Sequence, residues 1–290
     1  MNRYDFVFLF DVKDANPNGD PDAGNLPRID PETGEGLVTD VCLKRKVRNY
    51  VLVARGTDLG FNIFIQERKP LNPLLADACK ENNFPDFSKG PGKWDTDKAK
   101  TRSPKDIKVL QQWLCKQYYD IRTFGAVMST GPNAGQLRGP VQLSFARSID
   151  QIVSSEHAIT RVTDVDKEEG EMGRKFTVPY ALYRAQGFVN PFLAEKTGFD
   201  GKDLNLLWEA LLNAFQFDQS AARPAGSMAA RRLIIFRHDN ALGNVPSHTL
   251  FERVRISRVD DAKPAREYSD YIVDLNDADL PSGIGIITMP

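Results

Sequence analysis

The chain has 290 residues, 41% of them hydrophobic and 27% charged, which is the composition of a globular protein with a sizeable core. A formal net charge of −1 gives no overall attraction to nucleic acid or to an acidic membrane surface. No apolar run exceeds five residues, as at 6–10, so a membrane-spanning helix of about 20 apolar residues is excluded. Asp11 and Lys13 end that run too early for a signal peptide.

The number and spacing of the cysteines and histidines indicate the redox compartment and limit the kinds of metal site that the chain could form. Three cysteines lie far apart without a CxxC pair, which argues against a disulfide framework and against a cysteine-based zinc site. Three histidines in the whole chain argue against a histidine-rich metal site. We therefore expect a soluble cytoplasmic protein with no metal and no cofactor.

The charge is strongly segregated along the chain. Residues 1–40 sum to −6 and residues 41–55 to +5, because the second segment holds five bases and no acid. Residues 220–260 sum to +4 and residues 261–290 to −4. Since the field near a site is set by nearby charges, the two basic segments can bind a phosphate backbone despite the neutral total.

The first elements are a strand, a long loop and a basic helix. Residues 4–12, YDFVFLFDV, predict a buried strand, and a loop rich in Pro, Gly, Asn and Asp follows as far as Thr39. Thr39 or Asp40 then caps a helix that stops at Gly56. Bases lie opposite its apolar stripe without acidic partners at i±4, so they are either a solvated face or phosphate ligands: Lys44, Arg45, Arg48 and Arg55.

The remaining pattern predicts an α+β fold around one antiparallel sheet. Residues 57–120 are an insertion with a helix near 104–118, and residues 156–175 are a protruding hairpin or mobile loop. Residues 203–217 predict an amphipathic helix, and residues 220–230 a loop of small residues. Further strands are predicted at 121–130 and 139–149, which flank a glycine-rich turn, and at 177–189, 231–238 and 251–259.

An acidic loop follows the first strand and resembles the first half of a calcium-binding loop. Asp14 to Gly19 fits D-x-N-x-N-G, but the twelfth position is Asn25, where a bidentate Glu is expected. A structural turn rich in Asx residues is the preferred interpretation. The same loop offers Asp14, Asp20 and Asp22 as carboxylates for phosphodiester cleavage, although no catalytic motif accompanies them.

Basic residues on several elements give a stronger signal for nucleic acid. Arg223, Arg231 and Arg232 flank the small-residue loop, through which a strand could approach the backbone closely. Met228 in that region is either a packing residue or a wedge between bases. Other bases lie on or beside predicted strands and turns: Arg122, Arg138, Arg147, Arg161, Arg174 and Lys175.

Two stretches resemble a known family. NPNGDPDAGNLPRIDPETGEGLVTDVCLKRKVRNYV, at 16–51, and IRTFGAVM, at 121–128, are similar to the backbone subunit of CRISPR surveillance complexes, or Cascade. More narrowly, the chain is similar to the type I-C member, the Csd-two-like branch of CRISPR-associated protein family seven. The first stretch is the most specific part, because it is too long for chance agreement to be expected, and the resemblance covers nearly the whole chain.

The resemblance implies an RRM-like, that is ferredoxin-like, antiparallel sheet, the palm, as one domain over residues 1–290. It also implies a helical finger insertion at 57–120 and a thumb hairpin at 156–176. Copies would line up head to tail along a guide CRISPR RNA, which pairs with a target DNA strand, together with other Cascade subunits and no membrane. RNA-binding residues implied in this way or by position in the chain are Lys44, Arg45, Lys46, Arg48, Arg138, Arg161, Arg174, Lys175, Arg223, Ser227, Met228 and Arg231.

The implied role is non-enzymatic, since other subunits of the type I complexes process the guide and cut the target. Related type III backbone subunits cut target RNA with an Asp near the first strand or helix. Two alternatives therefore stay open for the acidic loop: an RNA endonuclease that uses Asp14, Asp20 or Asp22, and a calcium-dependent binding module.

Overall fold

The computed structural model describes residues 1–160 and 172–290. The strands, β1 to β16 in chain order, are Tyr4–Ala15, Gly19–Asp20, Leu26–Pro27, Glu35–Val38, Ser88–Gly90, Lys93–Trp94, Gly125–Met128, Gly135–Arg138, Val141–Leu143, Ala146–Gln151, Ser155–Thr160, Met172–Val189, Met228–His238, Val254–Arg258, Tyr271–Leu275 and Ile284–Met289. The helices, α1 to α8, are Asp40–Arg55, Leu71–Glu81, Thr96–Lys100, Pro104–Gln117, Tyr119–Phe124, Pro191–Thr197, Gly201–Leu212 and Ser247–Phe251. None of these helices is long and apolar enough to cross a membrane.

The main sheet has eight strands and an RRM-like order. Its path runs β16-β13-β1-β12-β10-β4, with β9 and β11 also paired to β12, and every pairing is antiparallel. Along the chain, β1 precedes α1, β10 and β12 follow, and α7 separates β12 from β13. This is the split βαβ pattern of ferredoxin-like folds, with the fourth, first, third and second core strands side by side. The predicted fold class is confirmed.

Both faces of the sheet are covered, which explains the unbroken apolar run of β1. Phe6, Phe8 and Phe10 point to the face that packs against α1 and α7. Val7 and Leu9 point to the other face, which is covered by α8, β14 and β15. Successive side chains of a strand alternate between faces, so a strand buried on both sides carries apolar residues at every position.

Helix α1 has the bounds that its sequence predicts. The Thr39 hydroxyl accepts a hydrogen bond from the Cys42 N–H at 3.2 Å, and the helix ends at Gly56, whose N–H donates to the Leu52 carbonyl. Leu43, with two further apolar residues at helical spacing, is buried against the sheet. Local signals agree with the tertiary contacts here, which is the condition under which sequence patterns predict an element well.

A second core is formed mainly by the predicted insertion and continues past residue 120 to Ile121 and Met128. Residues of α2, α4 and α5 bury Leu75, Leu110, Leu114 and Ile121 in a cluster separate from the two faces of the main sheet. The helix predicted near 104–118 is α4. The insertion therefore has apolar packing of its own.

The strand predicted at 121–130 is wrong in its first half, where residues 119–124 form α5 and only 125–128 are strand. Ile121 and Thr123 favour a strand by local propensity. However, the buried carboxylate of Asp120 accepts hydrogen bonds from two backbone N–H groups, and Arg122 forms a bidentate pair with Asp203. We infer that these tertiary contacts outweigh the propensity.

Other boundaries differ by a few residues. The segment 139–149 is broken into β9 and β10 around an exposed Phe145. Residues 135–138 of the predicted glycine-rich turn form β8. The helix predicted over 203–217 is shorter, since α7 ends at Leu212.

A hairpin projects from the main sheet where the sequence predicts one. Strand β11 pairs with the first part of β12, from Ser155 opposite Thr177 to Thr160 opposite Met172. Residues 161–171 lie outside the described residues, and Arg161 with them.

Candidate nucleic-acid interface

Three segments that are distant in sequence meet at one place: the end of β1, the N-terminal half of α1, and the loop between α7 and β13. The loop between α7 and β13 is joined to the end of β1 and to the residue after it by two backbone hydrogen bonds. The Lys13 N–H donates to the Ser227 carbonyl at 2.8 Å, and the Asn16 N–H donates to the Ala222 carbonyl at 3.0 Å. The basic segments of the sequence, at 41–55 and 220–260, are thus brought together.

Asp218 is the centre of this junction. Its carboxylate contacts the ammonium of Lys46 and lies 3.9 Å from a guanidinium nitrogen of Arg45 and 3.3 Å from Nε of Arg223. It also accepts a hydrogen bond from the Asn49 amide at 3.1 Å. Three cations against one carboxylate leave an excess of two positive charges.

Burial and charge act in opposite directions on the Asp218–Lys46 pair. Burial by itself raises the pKa of the Asp218 carboxyl, but the charges of Lys46, Arg223 and Arg45 outweigh it and hold that pKa below its usual value. Burial also lowers the pKa of Lys46, against the stabilising charge of Asp218. Asp218 is therefore ionised at neutral pH.

Lys46 and Arg48 are predicted as phosphate ligands, and the structure places both side chains in buried ion pairs. The Lys46 side chain is 0% exposed beneath Asp218. Arg48 is also buried, with Nε 2.9 Å from the Asp120 carboxylate. An ammonium or guanidinium in these positions already has a counter-ion and little access to the surface.

Lys44 and Arg45 occupy the remaining basic positions of the N-terminal half of α1. Lys44 pairs with Asp40 at 3.0 Å, one turn earlier, which corrects the prediction that these bases lack acidic partners at i±4. Arg45 is 52% exposed and only loosely held by Asp218. Arg45 is therefore the base of this helix segment that is best placed for an outside ligand.

Around the small-residue loop, the predicted residues have different environments. Arg223 is mostly buried, and its terminal nitrogen reaches the Asn16 carbonyl at 3.5 Å. Ser227 donates to the Pro224 carbonyl at 2.7 Å. Arg231 is partly exposed and pairs with Asp11 at 2.8 Å.

Met228 does not form a wedge on the surface. It is 7% exposed and belongs to the core between the sheet and its helices, the packing position that the sequence offered as the alternative to a wedge between bases. As the first residue of β13 it has an inward-facing side chain, and an unbranched thioether suits an irregular core position.

The other predicted bases lie on the hairpin and on β8. Arg174 pairs with Glu156 across the hairpin at 3.0 Å, and Lys175 is opposite His157 in the same ladder. Arg138 is exposed on β8 with no carboxylate within 4.0 Å among the described residues. Of the predicted bases within residues 1–160 and 172–290, the structure groups Arg45, Lys46 and Arg223 around one carboxylate.

The acidic loop is organised by its own short-range contacts. Asp20 accepts a hydrogen bond from the Asp22 N–H at 3.2 Å and lies 3.4 Å from a guanidinium nitrogen of Arg28. Within residues 1–160 and 172–290, no three His, Cys, Asp or Glu side chains are grouped so that they could hold a metal ion. These contacts are those of a structural turn.

Sequence reasoning missed Asp218 and the neighbouring Phe217. Phe217 is exposed and its ring lies 6.0 Å from that of Tyr50 on α1. The available signal was the position of Asp218, which directly follows the predicted amphipathic helix at 203–217 and has no base one turn before it. Its partners on α1, Lys46 and Asn49, are about 170 residues earlier in the chain, so the sequence gives no spacing from which to find them.

The geometry defines a ferredoxin-like protein with a positively charged junction beside the first helix. Residues 2–276 match the family model described as CRISPR-associated protein Cas7, and the chain belongs to this family. The chain is 27% identical over 234 residues to the CRISPR-associated protein Cas7 of Haloferax volcanii, an alignment that covers 73% of this chain and 65% of that protein. The chain thus spans just under two thirds of that relative's length.

Among solved structures, the fold is similar to that of a chain from a CRISPR RNA-guided surveillance complex in a pre-nicking state. The TM-score is 0.52 at 16% identity, over 81% of this chain and 78% of the other. The family expected from the two sequence stretches is confirmed, and so is the fold expected with it.

Proposed function

We propose that this chain is a guide-RNA-binding backbone subunit of a type I-C Cascade complex, with no catalytic role of its own. Its copies polymerise along the CRISPR RNA and present it for pairing with target DNA in antiviral defence. Membership of the Cas7 family is the observation that carries this proposal. The type I-C assignment rests on the resemblance of residues 16–51. In such an arrangement base pairing supplies the sequence specificity, and the protein recognises the backbone and the shape of the RNA.

The charge distribution supports a phosphate contact at the junction of α1 and the loop before β13. Arg45 and Arg223 share one carboxylate with Lys46, so the site has an excess of positive charge. A single-stranded phosphate backbone is attracted to such sites, and it releases counter-ions on binding. Arg138, exposed on β8, is a second candidate contact.

Polymerisation requires a surface on each copy that fits a different surface on the next. A heterologous contact of this kind produces an open helical filament when its rotation does not close. The β11–β12 hairpin projects from the sheet and carries two exposed apolar side chains, Ile159 (48% exposed) and Met172 (75% exposed). We propose that this hairpin is the thumb and that it contacts the neighbouring copy.

Replacing Ile159 and Met172 together by Ser should therefore disrupt assembly and spare the subunit. Both side chains are exposed, so the melting temperature should stay unchanged. Loss of apolar anchors at an interface costs more than about 1 kcal/mol, so we expect assembly on RNA to need roughly tenfold more protein. Sedimentation of the subunit with RNA measures this. Leu242→Ser, on a loop outside the hairpin, is the matched control. Equal assembly by the hairpin and control variants would place the contact elsewhere.

The proposed function itself is tested by purification. A particle that contains this chain should carry RNA of defined length.

A further inference from the structure

At the junction three cations share the carboxylate of Asp218, and they differ in burial and in their distance from it. Lys46 is fully buried against Asp218, so this contact is the permanent ion pair of the group. Arg45 is 3.9 Å away, beyond hydrogen-bonding distance. Nε of Arg223 is 3.3 Å from the carboxylate but is not aligned for a hydrogen bond, and it has no hydrogen-bond partner among the described residues. The two arginines therefore share the single negative charge of Asp218 with Lys46, and the group keeps an excess of positive charge.

Asp218 also joins the two elements that carry these arginines. Arg45 is on α1, whereas Arg223 is on the loop before β13, and Asp218 contacts α1 through Lys46 and Asn49. No other carboxylate of the described residues lies within 4.0 Å of Arg45, Lys46 or Arg223. Without Asp218, mutual repulsion would drive the loop and the helix apart at this point.

We propose that Asp218 is a positioning residue, which holds Arg45 and Arg223 together as a two-arginine site for one phosphate group of single-stranded RNA. The proposal rests on the proposed function and assigns a role to an acid where only bases are expected. Lys46 is buried against Asp218, so the charge of the two guanidinium groups is only partly compensated and attracts a phosphate. An ionised Asp218 keeps this arrangement at neutral pH.

The sign of one mutational effect separates positioning from simple electrostatics. Asp218→Asn removes a negative charge from a site that binds a polyanion, so electrostatics alone predicts tighter RNA binding and a steeper salt dependence. The positioning role predicts weaker binding. It also predicts a log–log salt slope that is flatter by about 0.7, since the site holds one phosphate and each single-strand phosphate that is no longer neutralised lowers the slope by about 0.7.

The experiment measures binding of single-stranded RNA of unrelated sequence by the full chain over a range of salt concentrations. Asp218→Glu keeps the charge and should retain most of the wild-type slope. Asp30→Asn removes the same charge from a carboxylate that pairs with Arg147 on other elements, and it should leave the slope unchanged. If Asp218→Asn does not fold because Lys46 is left buried without a counter-ion, the double variant with Lys46→Met removes that charge.

The Arg45→Ala, Arg223→Ala double variant completes the test. It should flatten the slope by the same amount as Asp218→Asn, and adding Asp218→Asn to it should have no further effect, because coupled residues do not contribute additively. Tighter or unchanged binding by folded Asp218→Asn would overturn the positioning role. Absence of RNA binding by the wild-type chain would instead overturn the proposed function.

Discussion

Arg48→Ala should destabilise the protein by about 3–5 kcal/mol, the usual cost of removing one partner of a buried ion pair. Asp120, the partner, is buried and would keep only the N–H groups of Phe64 and Ile65, at 2.8 and 3.1 Å. Loss of Arg48 would thus leave a buried carboxylate without a counter-ion. Urea unfolding followed by circular dichroism measures the change.

Arg45→Ala is the matched control for this prediction. Arg45 is on the same helix but is half exposed and 3.9 Å from its carboxylate, so its removal should cost no more than about 1 kcal/mol. Similar losses of stability for the two variants would contradict the assignment of Arg48 to the core. Such a result would support the uniform, solvent-exposed basic face that the sequence predicts for this helix.

Gly125→Ala should destabilise the protein by about 2–6 kcal/mol, through backbone strain and overpacking together. Gly125 joins α5 to β7 with φ +76° and ψ 178°, a conformation that is essentially restricted to glycine. An added Cβ would lie 2.2 Å from the Leu137 carbonyl oxygen and 2.5 Å from the Gly139 nitrogen. Both are backbone atoms of the paired segment, so a side-chain rotation cannot relieve the collision.

Gly201→Ala provides the comparison within the same chain. Gly201 begins α7, and a Cβ there has no heavy atom within 4 Å. Ala lowers the entropy of the unfolded chain and favours a helix, so we expect a change between zero and a gain of about 1 kcal/mol. Thermal unfolding of both variants tests the pair. A Gly125→Ala protein as stable as wild type would mean that the β7–β8 hairpin is not packed as described.

The sequence predicts those parts of the fold in which local and tertiary preferences coincide. The helix from Asp40 to Arg55 has a capping Thr, an apolar stripe and a terminal Gly, and all three signals lie within its own segment. The run in β1 is apolar on both faces because the sheet is covered on both sides. Residues 119–124 behave differently, since α5 depends on hydrogen bonds to residues far away in the chain.

The candidate site was less predictable, for an electrostatic reason. Lys46 and Arg48 look like free bases because no acid lies near them in sequence. Their counter-ions, Asp218 and Asp120, are 172 and 72 residues away. Local charge counts therefore overestimate the positive charge of α1 and miss the acid that organises it. Met228 shows the same limit for apolar residues, because its burial depends on the registry of β13 against β1.

The most direct test of the central claim is the nucleic-acid content of the native particle that contains this chain. We expect an absorbance ratio at 260 and 280 nm dominated by nucleic acid. We also expect an extracted RNA of a single defined length that stays intact when divalent cations are added. A particle without RNA would contradict the account. RNA that shortens on addition of a divalent cation would indicate the endonuclease alternative, and an RNA-free protein whose melting temperature rises with calcium would indicate the calcium-binding alternative.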